Sequence, residues 1–190
     1  MPITYSDDGL MRRGTERNAV MGTPSDNLTI DGAGDVLFSG GGGLAFGEIS
    51  VKDNAAATTL NGTTKVQVTD FDTNGPSNNT TPAHATDDIT IIKAGMYMIV
   101  VSVTVINGAA QEVALDVSVW TNNGGTELLN LHADRTLTGG SGDVGSMSLS
   151  GIGDLAVDDT VELWAAITVT ANRDVIFQDV TLTLVQIGGT

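Results

Sequence analysis

The sequence predicts an all-β protein, and three observations support this. Hydrophobic and polar residues alternate with a period of two through most of the chain after Gly47. The segments between these stretches are rich in Asn, Gly, Asp and Ser, which are typical turn residues. No window shows a hydrophobic stripe with helical spacing. About eight or more half-buried strands are therefore expected, arranged as a sandwich or a barrel.

Composition limits the classes of partner. The chain has 190 residues, 41% of them hydrophobic but only 4% aromatic, so we expect a packed core made of aliphatic side chains. A formal net charge of −15 repels nucleic acids and anionic membranes, and neither is an expected partner. The absence of cysteine excludes disulfides and thiolate chemistry.

The first 46 residues differ from the rest. They contain Arg12, Arg13 and Arg17, three of the eight basic residues, and show no regular periodicity. We interpret residues 1–46 as an N-terminal docking arm and residues 47–190 as the folded body, with a glycine hinge at Gly40–Gly43. Residues 1–18 have no apolar run, and no stretch approaches the ~20 apolar residues of a membrane span, so neither a cleaved secretion signal nor a span is expected.

The alternation predicts which side chains of each strand face the core. For the strand after Gly95 these are Tyr97, Ile99, Val101, Val103 and Val105. For the next three strands they are Val113, Leu115, Val117 and Val119; then Val161, Leu163, Ala165, Ile167 and Val169; and then Ile176, Val180, Leu182 and Leu184.

Some large apolar residues fall on the opposite faces of these strands. They are Met96, Met98, Val100, Trp120 and Trp164. Two explanations are open. A loop or the N-terminal arm covers these side chains, or they form a subunit interface, where Met and Trp are enriched.

Three segments resemble a known family. "ITIIKAGMYMIVVSVTV" (89–105), "LAVDDTVELWAAI" (155–167) and "VTLTLVQIG" (180–188) resemble strands of the tumour necrosis factor superfamily and of complement globular heads, with Gly95 and Tyr97 as the best matches. Asp158 departs from the Gly that the family often has there. The resemblance implies a jelly-roll β-sandwich that forms a homotrimer. Fold alone does not fix function.

"DFDTNG" (70–75) is similar to the start of a calcium-binding loop. Asp70, Asp72 and Asn74 occupy the first three ligand positions. Thr81, however, replaces the bidentate Glu, and no helix flanks the segment. The alternative is a solvated loop. We therefore expect no cofactor, with weak calcium binding between subunits left open; its candidate ligands are Asp70, Asp72, Asn74, Asp87 and Asp88.

No segment predicts an active site. "GIGDLA" (151–156) matches a dinucleotide fingerprint formally, but a glycine turn before a strand is the better interpretation, since the flanking segments are strands. His84 and His132 are expected to be exposed, and the Asp158–Asp159 pair to be solvated. Gly-x-Ser-x-Gly is absent. We predict that the protein is not an enzyme and has no small-molecule substrate.

We interpret the chain as a structural protein of a bacteriophage virion. Its expected role is that of a trimeric capsid decoration protein whose arm docks on the major capsid protein or another virion protein. The alternative is a fibre-tip or adhesin domain that binds a host-surface receptor or glycan through loops 70–88 and 134–146. Phe71 is the only aromatic residue of these loops, which disfavours the alternative. A glycan-processing enzyme is a third possibility without a supporting cleft motif.

Overall fold

The computed structural model describes residues 43–140, 142–169 and 171–189, and the backbone of strands at 19–21, 28–30 and 36–38. The predicted docking residues Arg12, Arg13 and Arg17 and most of the predicted hinge lie outside the described residues. The chain divides into two compact units, Met1–Gly43 and Leu44–Thr190.

The described part of the N-terminal unit is a small antiparallel sheet. It contains β1 (Ala19–Met21), β2 (Leu28–Ile30) and β3 (Val36–Phe38), which pair in chain order. Each strand has three residues, and the connections are short enough for neighbours in the chain to be neighbours in the sheet.

The body consists of strands without helices in its described residues, which confirms the all-β prediction. Its strands are β4 (Phe46–Val51), β5 (Thr58–Asn61), β6 (Val66–Gln67), β7 (Thr73–Asn74), β8 (Thr80–Ala83), β9 (Asp88–Ile91), β10 (Gly95–Asn107), β11 (Val113–Thr121), β12 (Thr126–Leu137), β13 (Val144–Leu155), β14 (Thr160–Ile167) and β15 (Asn172–Gly188). Within the described residues, no helix is long and apolar enough to cross a membrane.

Two antiparallel sheets form the sandwich. The front sheet has the order β13-β10-β15-β4-β7, with β5 also paired to β15. The back sheet has the order β12-β11-β14-β9-β8, with β6 also paired to β14. Side chains from the inner faces of both sheets form one buried cluster, as expected for alternating strands packed face to face.

The predicted inward faces of β10 and β11 are confirmed, because their alternate aliphatic residues are fully buried. The same holds for Val161, Leu163, Ala165 and Ile167 of β14, whereas Val169 lies beyond the end of that strand and is only half-buried. The turn predicted at "TNNGG" joins β11 to β12. Thus the two-residue period correctly located the core of most strands.

The prediction for β15 is wrong at Ile176. Val180, Leu182 and Leu184 face the core, but before them the buried residues are Val175 and Phe177, so Ile176 points outward. The pairing with β10 shifts between Thr104 and Val105 and leaves one extra residue, Gln178, in β15. Such a bulge moves the following side chains to the other face.

The glycines of "GIGDLA" also have a different role from the predicted turn. Gly151 and Gly153 lie within β13. A Cβ atom at Gly151 would stand 2.8 Å from the amide nitrogen of Asn130, and one at Gly153 would stand 3.2 Å from Ile99. Glycine is used here because neighbouring side chains approach the strand closely.

Gly95 and Tyr97 position the first residues of β10. They are also the best matches of the family resemblance. A Cβ at Gly95 would lie 2.4 Å from the carbonyl oxygen of Gly188, and its φ of +154° is one that glycine accepts. The Tyr97 ring is fully buried, and its hydroxyl donates to the carbonyl oxygen of Lys93 at 2.5 Å. These contacts fix where β10 enters the front sheet.

Candidate functional site

The outward face of the front sheet carries an apolar row across four strands. Met98 of β10 pairs with Ile152 of β13 and with Val185 of β15, and Val185 pairs with Phe46 of β4. All four side chains are between 37% and 49% exposed. This row and the apolar residues that flank it, which are Leu44, Met96, Val100 and Ile187, are together called the apolar band. A contiguous exposed surface of this kind is typical of an interaction site.

On one side of the Met98 row, the next two rows consist of small and mostly uncharged side chains, whereas on the other side Met96 pairs with the exposed Asp154. The row that contains Val100 continues with Ser150, Thr183 and Glu48, and the following row contains Ser148, Ser102, Thr181 and Ser50. Glu48 is the one carboxylate of these two rows and accepts a hydrogen bond from the Thr183 hydroxyl at 3.0 Å. The face is therefore flat beside the band and suits close packing of another surface.

The outward face of the back sheet has a different character. Trp120 of β11 and Trp164 of β14 lie with ring centroids 5.9 Å apart and an interplanar angle of 44°. Trp120 Nε1 donates to Ser118 Oγ at 2.8 Å, and Trp164 Nε1 donates to Glu162 Oε2 at 3.1 Å. Both rings are half-buried. Because each indole is hydrogen-bonded and packed, its orientation on the sheet is fixed.

Glu162 anchors this face although it is completely buried. Its carboxylate accepts from the backbone N–H of Asn123 at 2.9 Å and of Gly124 at 3.0 Å, and from the Thr160 hydroxyl and the Trp164 indole. The turn residues Asn122, Asn123 and Gly124 all have positive φ, so successive N–H groups converge on the carboxylate. The buried charge is thereby satisfied.

A polar network lies beside the tryptophans. Lys65 Nζ donates to Asp116 Oδ1 at 2.5 Å and to Ser118 Oγ at 2.8 Å. His132 Nε2 is 2.7 Å from the same Asp116 oxygen and 3.7 Å from Asp134 Oδ1. We call Trp120, Trp164 and the surrounding Lys65, Gln67, Asp116, Ser118 and His132 the tryptophan face.

Three side chains of this region could offer ligands to a metal. In the described part of the chain, Asp116, His132 and Asp134 place one ligand atom each within 4.8 Å of one another. The Lys65 ammonium already neutralises Asp116, and a divalent cation would have to displace it. The cluster is accounted for as an ion-pair network on a sheet surface.

The residues of the predicted calcium loop have separate partners. Asp70 accepts from the Asn54 amide at 3.2 Å and from the Thr58 hydroxyl at 2.9 Å. Asp72 accepts from Thr73 at 2.7 Å, and the Asn74 side-chain oxygen accepts from the His84 backbone N–H, also at 2.7 Å. Calcium binding between subunits stays a prediction.

The end of the same loop carries carboxyl groups with raised pKa values. Burial, helped by the charges of Asp70 and Asp88, raises the pKa of Asp87 to about 6, against the opposing hydrogen bond from the Phe71 N–H. Burial also raises the pKa of Asp88, which pairs with Glu162 across β9 and β14. Negative charge is therefore disfavoured at this edge of the back sheet.

The structure separates the five predicted interface residues into two groups. Met96, Met98 and Val100 lie on the front sheet, and Trp120 and Trp164 on the back sheet, so the two groups occupy opposite outer faces of the sandwich. Phe71, the only aromatic residue of the loops in the receptor-binding alternative, is buried in the core. Those loops thus present no aromatic ring to a ligand in their described residues.

Sequence reasoning missed Lys65, Asp116, Ser118 and Glu162. Each strand gives a partial signal, because Asp116, Ser118 and Trp120 share one face by alternation, as do Thr160, Glu162 and Trp164. The strand register that brings Ser118 opposite Trp164, and Trp164 opposite Gln67, is not visible in one strand alone.

Comparisons with known proteins show the fold and no closer relationship. No family model and no curated protein matches the chain. The Eiger tumour necrosis factor of S. frugiperda superposes with a TM-score of 0.56 at 11% identity, covering 77% of this chain and 94% of the other. The globular domain of the zebrafish complement 1qA protein gives a TM-score of 0.47 at 11% identity, covering 77% and 99%. The body is therefore a tumour necrosis factor-like jelly roll, as the resemblance implied.

Proposed function

We propose that the protein is a non-enzymatic structural component of a bacteriophage virion. In this proposal the body assembles into a homotrimer through the outward face of the front sheet. The N-terminal arm, with Arg12, Arg13 and Arg17, docks the trimer on the major capsid protein or another virion protein. The expected location is the capsid surface, where the trimer acts as a decoration protein.

The apolar band is the main observation that supports the proposed assembly. Met98, Ile152, Val185 and Phe46 form a continuous row, so burying them against another surface removes a contiguous apolar area from water. The adjoining rows of Ser and Thr allow close approach. A second copy is a suitable partner because two such bands bury their apolar residues against each other. The repulsion expected between two chains of net charge −15 is smallest over these mostly uncharged rows.

Other features support the proposed number of subunits and the proposed location in a virion. The resemblance of segments 89–105, 155–167 and 180–188 to a trimer-forming family favours three copies. The chain is rich in Gly, poor in aromatic residues and free of cysteine, and its basic residues are partly concentrated in the arm, where they suit an acidic docking surface.

Light scattering of the purified full chain tests the assembly. We expect a mass three times that of the 19.5 kDa chain. Met98→Glu should give a monomer, since it places one carboxylate per copy in the middle of the apolar band. Leu129→Glu is the matched control, because Leu129 is an even more exposed apolar residue on a strand of the back sheet.

The outcomes are distinguishable. A wild-type monomer contradicts the assembly. A trimer that survives Met98→Glu, or one that dissociates with Leu129→Glu instead, places the interface outside the apolar band.

Capsid co-sedimentation tests the docking role. The variant with Arg12, Arg13 and Arg17 all changed to Glu should stay trimeric and lose binding to capsids of the source virus that lack this protein. A control with Lys52, Arg135 and Arg173 changed to Glu makes the same charge change in the body and should still bind. Loss of binding in both variants indicates general charge repulsion and contradicts docking by the arm.

A further inference from the structure

We propose that the tryptophan face of the back sheet binds a neutral saccharide. This site is separate from the apolar band, and the inference does not depend on the trimer. It also differs from a receptor site in the loops, since its residues lie on the strands β6, β11, β12 and β14, apart from Lys65, which directly precedes β6.

The two indole rings supply the apolar part of such a site. Trp120 and Trp164 are partly buried and tilted by 44°, and their N–H groups donate to Ser118 and Glu162. The rings are therefore held in place before a ligand arrives, which lowers the entropy cost of binding. Flat aromatic surfaces contact the C–H face of a pyranose ring, which is apolar while its edge carries hydroxyls.

The polar groups around the rings match that edge. Ser118 lies between His132 and Trp164 in one cross-strand row, and Gln67 follows Trp164. In the next row, Asp116 lies opposite Ala166, whose small side chain is almost fully buried. Lys65 Nζ extends over Ala166 and donates to Asp116 Oδ1 at 2.5 Å. An ammonium, a carboxylate, an imidazole and an amide thus surround the rings within two rows. A few fixed donors and acceptors beside an apolar surface are what a small polar ligand requires.

Charge selects the class of saccharide. The outward residues of these rows and the next include the carboxylates of Asp116, Glu127, Asp134 and Glu162, opposed by Lys65 and by His132 when it is protonated. Together with the net charge of −15, this surface repels sialic acids, uronic acids and phosphates. Neutral hexoses and N-acetylhexosamines carry the hydroxyls without the charge.

Intrinsic fluorescence gives a direct test, because the chain has two tryptophans and both lie in this face. The full chain is titrated with lactose, maltotriose and chitotriose, with sialyllactose as the charged counterpart, and is also applied to a glycan array. We expect a saturable change in tryptophan emission with at least one neutral glycan and none with sialyllactose. Failure of every neutral glycan at about 10 mM, together with a blank array, overturns the proposal.

Three variants locate the site. Trp120→Ala should weaken binding about tenfold or more, because it removes one stacking surface, and Trp164 still reports the titration. Thr136→Ala changes an exposed residue on the same face of β12, one row beyond Asp134, and should bind like the wild type. Trp164→Phe keeps an aromatic ring on the sheet but removes the N–H that Trp164 donates to Glu162, so thermal unfolding of this variant separates loss of binding from loss of folding.

Unchanged affinity in Trp120→Ala overturns the assignment of the site. Light scattering on the same samples keeps the two proposals apart, because a monomer that binds glycans contradicts the trimer alone, and a trimer that binds none contradicts the saccharide site alone.

Discussion

The outward faces of the front and back sheets are built on the same two-residue alternation but hold different chemistry. On the front sheet, alternate positions of β10, β13 and β15 carry mostly apolar or small hydroxyl side chains, with the carboxylates of Asp154 and Asp179 among the exceptions. On the back sheet, alternate positions of β11 and β14 carry a connected network that ends in the buried carboxylate of Glu162. The comparison shows that a sandwich can give its two outer faces different chemistry without altering its core.

The two faces also differ in how they should affect stability. The apolar band remains partly exposed in a single chain, so its side chains contribute little to the folding of that chain and much to any association. Glu162 and the turn that it binds are satisfied within one chain. Changes on the back sheet should therefore act on unfolding, and changes on the front sheet on assembly.

The largest expected effect on folding is that of Glu162→Ala. It leaves two backbone N–H groups, a hydroxyl and an indole N–H without their acceptor, and should lower the free energy of unfolding by about 3 kcal/mol. Urea unfolding at fixed protein concentration measures the change. Glu48→Ala is the matched control on the front sheet, where the carboxylate is half-buried and has one hydroxyl donor; we expect less than about 1 kcal/mol there.

An equal loss in the two Glu variants would contradict the distinction between the faces. It would mean that Glu48 is as strongly anchored as Glu162, and that the front face contributes to folding as much as to association.

A smaller effect is expected from pH at the edge of the back sheet. The pKa of Asp87 rises from 3.8 to about 6 on folding, so the protonated form is the one that the fold favours. Its contribution is fully present below 3.8 and is lost as pH rises through 6. Thermal unfolding should show a decrease of roughly 1 kcal/mol over this window, after allowance for solvent screening.

Asp87→Asn isolates this contribution. The amide oxygen still accepts from the Phe71 N–H, but the side chain no longer titrates, so the decrease between pH 4 and 6 should become smaller. Asp143 provides the opposite sign, because its bonds from Thr138 lower its pKa and its contribution is lost only as pH falls. A pH profile unchanged by Asp87→Asn would show that other groups cause the dependence.

The strand pattern could be predicted, and its errors have local causes. Alternation identified the inward faces of β10 and β11 because each strand keeps its period from end to end. It was wrong at Ile176, because the extra residue Gln178 interrupts the period and nothing in "VIFQDVTLTL" marks it. The glycines of β13 were predicted to form a turn. Their actual role is to make room for Asn130 and Ile99, which lie on neighbouring strands, and a contact between strands is not visible in the sequence of β13.

The candidate sites were predicted only in part. Met96, Met98 and Val100 were selected as outward apolar residues, but Ile152, Val185 and Phe46, which complete the row, lie on other strands. The tryptophans were placed opposite the apolar stripe, while the Lys65–Asp116 contact joins residues 51 positions apart in the chain. Such contacts depend on register, which a single strand does not encode.

By itself, the sequence determined the all-β class, the inward face of most strands, the main turns and the strongly acidic surface, because these follow from alternation, turn residues and composition. Only the tertiary structure decided which outward residues meet. It placed the methionines and the tryptophans on opposite faces and enclosed Glu162 with its donors. The physical reason is that side-chain direction is a local property with a period of two residues, whereas neighbours across a sheet are set by the pairing of strands distant in the chain.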